Sequence, residues 1–139
     1  MPFDPCVART LTELDHARLR RLSRALATTA RHDDDVLERT LDDATVVPAQ
    51  AIPADIVTMR SKVQLHDLRS ARRYRLTLSY PDDAEPGAGR VSVLSPVGAS
   101  LLGLRVGAEA RWPLPGGEQG RARLEAIVFQ PESHGEYAL

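Results

Sequence analysis

The hydrophobic period of this chain changes across Val47-Pro48-Ala49-Gln50-Ala51-Ile52-Pro53, and that change limits the folds open to it. Each proline removes a backbone donor and holds the residue before it in extended geometry, so no helix runs through the segment. Ahead of it, apolar residues recur at helical spacing; beyond it they follow the pattern of strands. The chain therefore reads as α+β in two parts. Residues 1–47 form a short helical unit, 48–53 a linker, and 54–139 a small, mostly antiparallel β domain with one short helix.

In the first part, Leu11, Leu14, Leu19, Leu22, Ala25 and Leu26 share one face of a helix expected over residues 10–30. Thr10 and Glu13 have the spacing of a capping box that would start it. Arg18, Arg20, Arg21, Arg24 and Arg31 lie on its other face. A second helix is expected from Asp33, with Asp33, Asp34 and Asp35 capping its first turn and facing the positive end of its dipole. Val36 or Leu37, Leu41 and Ala44 give it a thin apolar stripe, bordered by Glu38, Asp42 and Asp43. An arginine-rich helix beside an acid-rich one predicts an antiparallel hairpin, a two-helix coiled coil turning near residues 28–32.

In the second part, strands are expected at residues 56–59, 62–68, 74–80, 91–94, 110–114 and 121–129. Turn-forming residues at 81–89, 106–107 and 115–117 separate several of them. In the last strand, Ala122, Leu124, Ala126 and Val128 alternate with Arg123, Glu125 and Ile127, which places the first set on one buried face. Residues 99–102 would form one helical turn bounded by Gly98 and Gly103, since glycine commonly terminates such turns.

Composition excludes several functions. The 139 residues carry 18 Lys and Arg against 19 Asp and Glu, a net charge of −1, which argues against affinity built mainly on phosphate neutralisation. Direct, sequence-specific nucleic-acid binding is not expected. A single cysteine, Cys6, can form neither an internal disulfide nor a CxxC pair, in keeping with a reducing cytoplasm. No run approaches the roughly 20 apolar residues of a spanning helix, and residues 1–9 lack the basic and apolar segments of a signal peptide. His16, His32, His66 and His134 are scattered without metal-ligand spacing. The glycines at 116–120 lack the Lys-Ser/Thr step of a phosphate cradle, and Ser95 is not in a G-x-S-x-G elbow. No catalytic residue, metal or cofactor is expected of the chain's own chemistry. Asp33, Asp34 and Asp35 could hold Mg²⁺ for an active site elsewhere, although helix capping accounts for them without an ion.

Four stretches carry a family resemblance: Asp55-Ile56-Val57-Thr58-Met59, Val91-Ser92-Val93-Leu94-Ser95-Pro96-Val97-Gly98, Ala99-Ser100-Leu101-Leu102-Gly103-Leu104-Arg105-Val106-Gly107 and Trp112-Pro113-Leu114-Pro115-Gly116-Gly117. In this order and spacing they resemble the C-terminal domain of the bacterial Gre transcript-cleavage factors, and above all the Rnk family of regulators of nucleoside diphosphate kinase. The resemblance implies an FKBP-like fold for the C-terminal domain. It also implies docking on the coiled coil at the rim of the RNA polymerase secondary channel, in the largest subunit, with the hairpin pointing inward. The docking loop maps to Ser95, Pro96, Val97 and Gly98. Gre factors carry tip carboxylates that coordinate catalytic Mg²⁺, but a first helix of about 21 residues reaches only ~30 Å. The implied protein is a monomeric, cytoplasmic, non-enzymatic regulator that binds polymerase and competes with Gre-type factors without stimulating cleavage. The alternative is a cleavage factor working through Asp33, Asp34 and Asp35. A peptidyl-prolyl isomerase would want an aromatic pocket, which 4% aromatic content ill supports.

Overall fold

The computed structural model describes residues 8–27 and 36–136. The expected turn near residues 28–32 and the acids Asp33, Asp34 and Asp35 lie outside the described residues.

The chain opens with a strand, β1 (Thr10–Thr12), followed by helix α1 (Glu13–Ala27). The helix thus starts later than the sequence predicts, and its cap is Thr12, not Thr10. The Thr12 Oγ1 accepts the Asp15 N–H at 3.0 Å, satisfying one of the donors a helix start leaves over. Thr10 is drawn away because it is paired elsewhere. Strand β1 runs parallel to β2 (Thr45–Val47), Thr10 opposite Thr45 and Leu11 opposite Val46. The Thr10 N–H also donates to Gly103 O at 3.1 Å, and the Thr45 N–H to Arg9 O at 2.9 Å. Leu11 leaves the helical stripe yet is fully buried, as is Leu19.

Helix α2 (Val36–Asp43) precedes β2. The expected match of basic and acidic helix faces is met by named pairs. Arg20 binds Glu38 and Asp42, each at 2.8 Å, the Ser23 hydroxyl donates to Glu38, and a His16 ring nitrogen lies 2.9 Å from Leu41 O.

Five strands follow: β3 (Lys62–Asp67), β4 (Arg73–Ser79), β5 (Arg90–Ser92), β6 (Glu109–Pro113) and β7 (Gln119–Phe129). Their order across the sheet is β5-β4-β3-β7-β6, antiparallel throughout except for β4 and β5. Residues 56–59 do not form the expected strand. Only Ile56 makes a bridge, to Arg105, and the run is apolar because Ile56, Val57 and Met59 all enter the core. Val57 is held by exchange with the segment after α3: its N–H donates to Leu104 O and its carbonyl accepts from the Gly103 N–H, both at 2.9 Å.

Strand β7 corrects a second expectation. Val63 lies opposite Ile127 and Leu65 opposite Leu124, with the register shifting between Gln64 and Leu65 and again between Lys62 and Val63. Each shift inserts an extra residue on β7, and an inserted residue exchanges the faces of everything beyond it. Ala122 and Leu124 are buried as expected, but Ile127 packs on the core and Val128 is 44% exposed.

Helix α3 (Pro96–Leu101) spans the connection from β5 to β6. It begins three residues before the expected turn, so Gly98 lies within it and not at its border. Gly103, at φ +79, does follow its end. One hydrophobic cluster joins Leu11, Leu19 and Leu41 to Val57, Val63, Leu65, Leu78, Leu101, Leu104 and Leu124. Among the described residues, no helix is long and apolar enough to cross a membrane.

Candidate functional site

Ser95, Pro96, Val97 and Gly98 come together in a tightly closed turn at the start of α3. The Ser95 Oγ donates to Ser92 O at 2.7 Å and accepts the Gly98 N–H at 3.2 Å, so one hydroxyl ties strand β5 to the helix start. Pro96 takes the first helical position, where its missing N–H costs nothing. Gly98 is required by contact: a Cβ there would lie 2.0 Å from Ser92 O. Val97 turns in against the core. Pro96 and the neighbouring Leu94, 40% exposed, are left facing outward on a backbone with little freedom to move.

A second turn, at residues 58–61, is built from buried polar groups. Thr58 and Ser61 are both fully buried. The Ser61 Oγ accepts the Thr58 N–H at 2.9 Å and lies 2.9 Å from Thr58 Oγ1. Thr58 Oγ1 in turn donates to Glu132 Oε1 at 2.7 Å. Asp15, from the first turn of α1, reaches in and accepts the Met59 N–H at 3.1 Å. Burial, reinforced by nearby Glu132, pushes the Asp15 carboxyl up to about 6, against the Met59 hydrogen bond and Arg18.

This turn presents Arg60 at φ +67, a region that residues with a Cβ rarely occupy. Its guanidinium lies 5.0 Å from the Tyr80 ring centroid and 3.4 Å from Asp83. With Arg18 and Arg21 of α1, Arg60 and Tyr80 line a shallow pocket of about 360 Å³. Burial, with help from Asp15, pushes the Tyr80 phenol up to about 12, although Arg18 and Arg60 draw it down. Sequence spacing places Arg18 and Arg21 on a helix's outer face and assigns Arg60 and Tyr80 no role. Nothing in the local sequence signals the pocket, because it is formed by residues from three separate elements.

Exposed ion pairs occupy the sheet's other positions. Arg121, with Arg111, lowers Glu109 to about 2, and Glu125 joins Gln64 and Arg73. Among the described residues, no group of three His, Cys, Asp or Glu is placed to hold a metal ion.

The 92–98 turn and nearly all of the sheet lie within a recognised segment: residues 52–127 match the family described as transcription elongation factor, GreA/GreB, C-terminal. The chain belongs to this family. The matched segment takes in all of β3 to β6, helix α3 and most of β7. A regulator of nucleoside diphosphate kinase from Escherichia coli is 39% identical over 105 residues, covering 76% of this chain and 77% of the relative. Transcription elongation factor GreA from Chlorobium phaeobacteroides is 33% identical over 93 residues, covering 66% of this chain and 58% of its own length. Among solved structures, a prokaryotic transcription elongation factor GreA/GreB from Nitrosomonas europaea superimposes with a TM-score of 0.73 at 39% identity, over 87% of this chain and 99% of that one. As a Gre-family chain it carries the regulator-like relationship over a larger share of both proteins than the GreA relationship.

Proposed function

We propose that this protein is a transcription regulator that binds RNA polymerase at the rim of the secondary channel, on the coiled coil of the largest subunit. The surface offered is the loop of Ser95, Pro96, Val97 and Gly98. The observation that carries this reading is the closed 92–98 turn within the family-matched segment. A loop already fixed by its own hydrogen bonds loses little entropy on docking, and its outward groups are the apolar Leu94 and Pro96. In this reading the sheet with α3 packed on it is the FKBP-like docking domain. Helices α1 and α2, linked by Arg20, Glu38 and Asp42, form the antiparallel hairpin that points into the channel. The protein acts as a monomer in the cytoplasm and performs no chemistry itself.

The hairpin occupies the channel and displaces Gre-type factors without stimulating transcript cleavage. Purified protein should co-elute with core polymerase and suppress cleavage driven by an added Gre factor, with no cleavage of its own in backtracked complexes. Cleavage by the protein alone, lost when Asp33, Asp34 and Asp35 are replaced by Asn, would instead make it a factor that delivers Mg²⁺ from the hairpin tip. Failure to bind core polymerase would overturn both readings.

A further inference from the structure

We infer that the face of the five-stranded sheet turned away from the core is a docking surface for double-stranded DNA, held through its phosphates without regard to sequence. Six cations stand on it: Lys62 of β3, Arg73 and Arg75 of β4, Arg111 of β6, and Arg121 and Arg123 of β7, all exposed. Strand alternation puts them there, because their neighbours Val63, Leu76, Ala110 and Ala122 enter the core. The same face carries two acids, Glu109 and Glu125. Of the chain's 18 Lys and Arg and 19 Asp and Glu, twelve and seventeen therefore lie elsewhere. A net charge of −1 thus conceals one strongly positive face and an acidic remainder.

The two acids are already shared. Glu109 accepts from Arg111 at 2.7 Å and from Arg121 at 2.8 Å. Glu125 accepts from Arg73 at 3.0 Å, with His66 3.8 Å away. Lys62, Arg75 and Arg123 are paired with no carboxylate among the described residues; the two arginines donate to the neutral oxygens of Gln64 and Gly107. At the borders of the face the charges balance, Arg69 on Glu118 and Arg90 on Glu85. Exposed pairs of this kind add little to folding, so an arriving phosphate can take over the paired arginines too.

The chemistry of the face chooses its partner. A protein interface is built around buried aromatic or apolar anchors, and a single strand needs aromatic platforms on which its bases stack. Among the described residues this face has neither: Tyr74 and Trp112 pack on the core side, and the exposed Pro113 and Val128 stand at strand ends. A duplex asks for neither, since its bases are turned inward and it presents one negative charge per about 1.7 Å of axis. Strands about 4.8 Å apart spread the cations over roughly 15 Å, enough to meet several phosphates at once. Helix α3 and Val97 pack on the opposite, core side of the sheet, so a duplex bound here leaves the 95–98 loop free for polymerase.

The test is fluorescence anisotropy of a short labelled DNA duplex of random sequence, titrated with the full chain, without polymerase, over a range of salt concentrations. Binding is expected to weaken with salt at a logarithmic slope of roughly −3, since each neutralised phosphate contributes about −0.9 and three cations are held by no acid. Replacing Arg75 and Arg123 together, Arg75→Gln with Arg123→Gln, should weaken binding at least tenfold and flatten the slope by about 2. Thermal unfolding should stay where it is, because both side chains are exposed. Glu109→Gln should act in the opposite direction and tighten binding several-fold, since it releases Arg111 and Arg121. Arg24→Gln, exposed on α1, should leave affinity unchanged. A wild type that does not bind the duplex would overturn the inference, and so would a loss from Arg24→Gln equal to that of the sheet variant, the mark of general charge attraction. Tighter binding of a single strand of the same length, or of poly-glutamate, would also overturn it, assigning the face to unpaired nucleic acid or to an acidic protein.

Discussion

The turn at residues 92–98 and the turn at 58–61 are each closed by a serine hydroxyl, yet they treat a crowded backbone in opposite ways. At the first, the crowded position is given up to glycine: Gly98 has no room for a Cβ beside Ser92 O. At the second, an arginine remains at φ +67 and its neighbours hold it there. The first turn is relaxed and shows the solvent a rigid apolar corner. The second stores strain, in a shell of buried hydroxyls and carboxylates, behind a polar pocket. The difference teaches that rigidity comes from two sources here, residues chosen to fit and residues made to fit, and only the first costs the fold nothing.

The largest test of that contrast is Gly98→Ala. If the 92–98 turn has no slack, the new methyl must push against backbone and not against a mobile side chain, at a cost of about 3 kcal/mol or more. Chemical denaturation should register it directly, and a variant as stable as the wild type would show that the turn can yield. Asp15→Asn probes the support of the other turn. Asp15 is raised from 3.8 to about 6, so the folded state holds this proton more tightly than the unfolded chain. The stability gained by protonation is fully present below pH 3.8 and is lost as pH rises through about 6, a change of about 3 kcal/mol. Asparagine still offers an oxygen to the Met59 N–H. The difference in unfolding free energy between wild type and variant should therefore change with pH between 4 and 6 and level off above; a constant difference would remove Asp15 from the account.

Pro96→Ala separates exposure from closure in the first turn. The Ser95 and Gly98 contacts do not involve the Pro96 ring, so melting should hardly move. Polymerase affinity should fall roughly thirtyfold, the scale of a 2 kcal/mol interface residue. Parallel loss of both would make the turn structural alone. The smallest effect on stability is expected from Arg60→Gly. Relief of about 1 kcal/mol of backbone strain is set against a comparable loss of the stacking of Arg60 on Tyr80. Thermal unfolding within about 0.5 kcal/mol of wild type is the expected outcome, and a large destabilisation would show that Arg60 is there to hold the fold.

Much of the sheet was legible because strands β3, β4 and β6 and the first half of β7 follow their alternation. What misled was local geometry that alternation does not encode. The extra residue between Leu124 and Ala126 on β7 exchanges Val128 for Ile127 at the core, and nothing in the composition of residues 121–129 announces a bulge. Thr10 and Thr12 are both plausible caps, and the choice falls to Thr12 because Thr10 is committed to Thr45 and Gly103. Residues 56–59 look like a strand since their side chains are buried on more than one side. The 95–98 turn was legible only in part: Pro96 fits the first helical position, whereas Gly98, expected at the helix border, lies inside it and is kept by the close approach of Ser92 O. Arg60 was not: an arginine gives no sign of a left-handed backbone, and its partners Tyr80, Arg18 and Arg21 are distant in sequence.

Strands β1 and β2 lie side by side, so the chain leaves for α1 and returns from α2 through one hydrogen-bonded gate. The sheet domain therefore sees the same two strand ends however much chain is looped out beyond them. Lengthening such a loop raises its closure cost only logarithmically, about 0.6 kcal/mol for each doubling. Evolution can thus retune the reach of the segment between Thr12 and Thr45 by insertion or deletion, while the rest of the molecule keeps its shape.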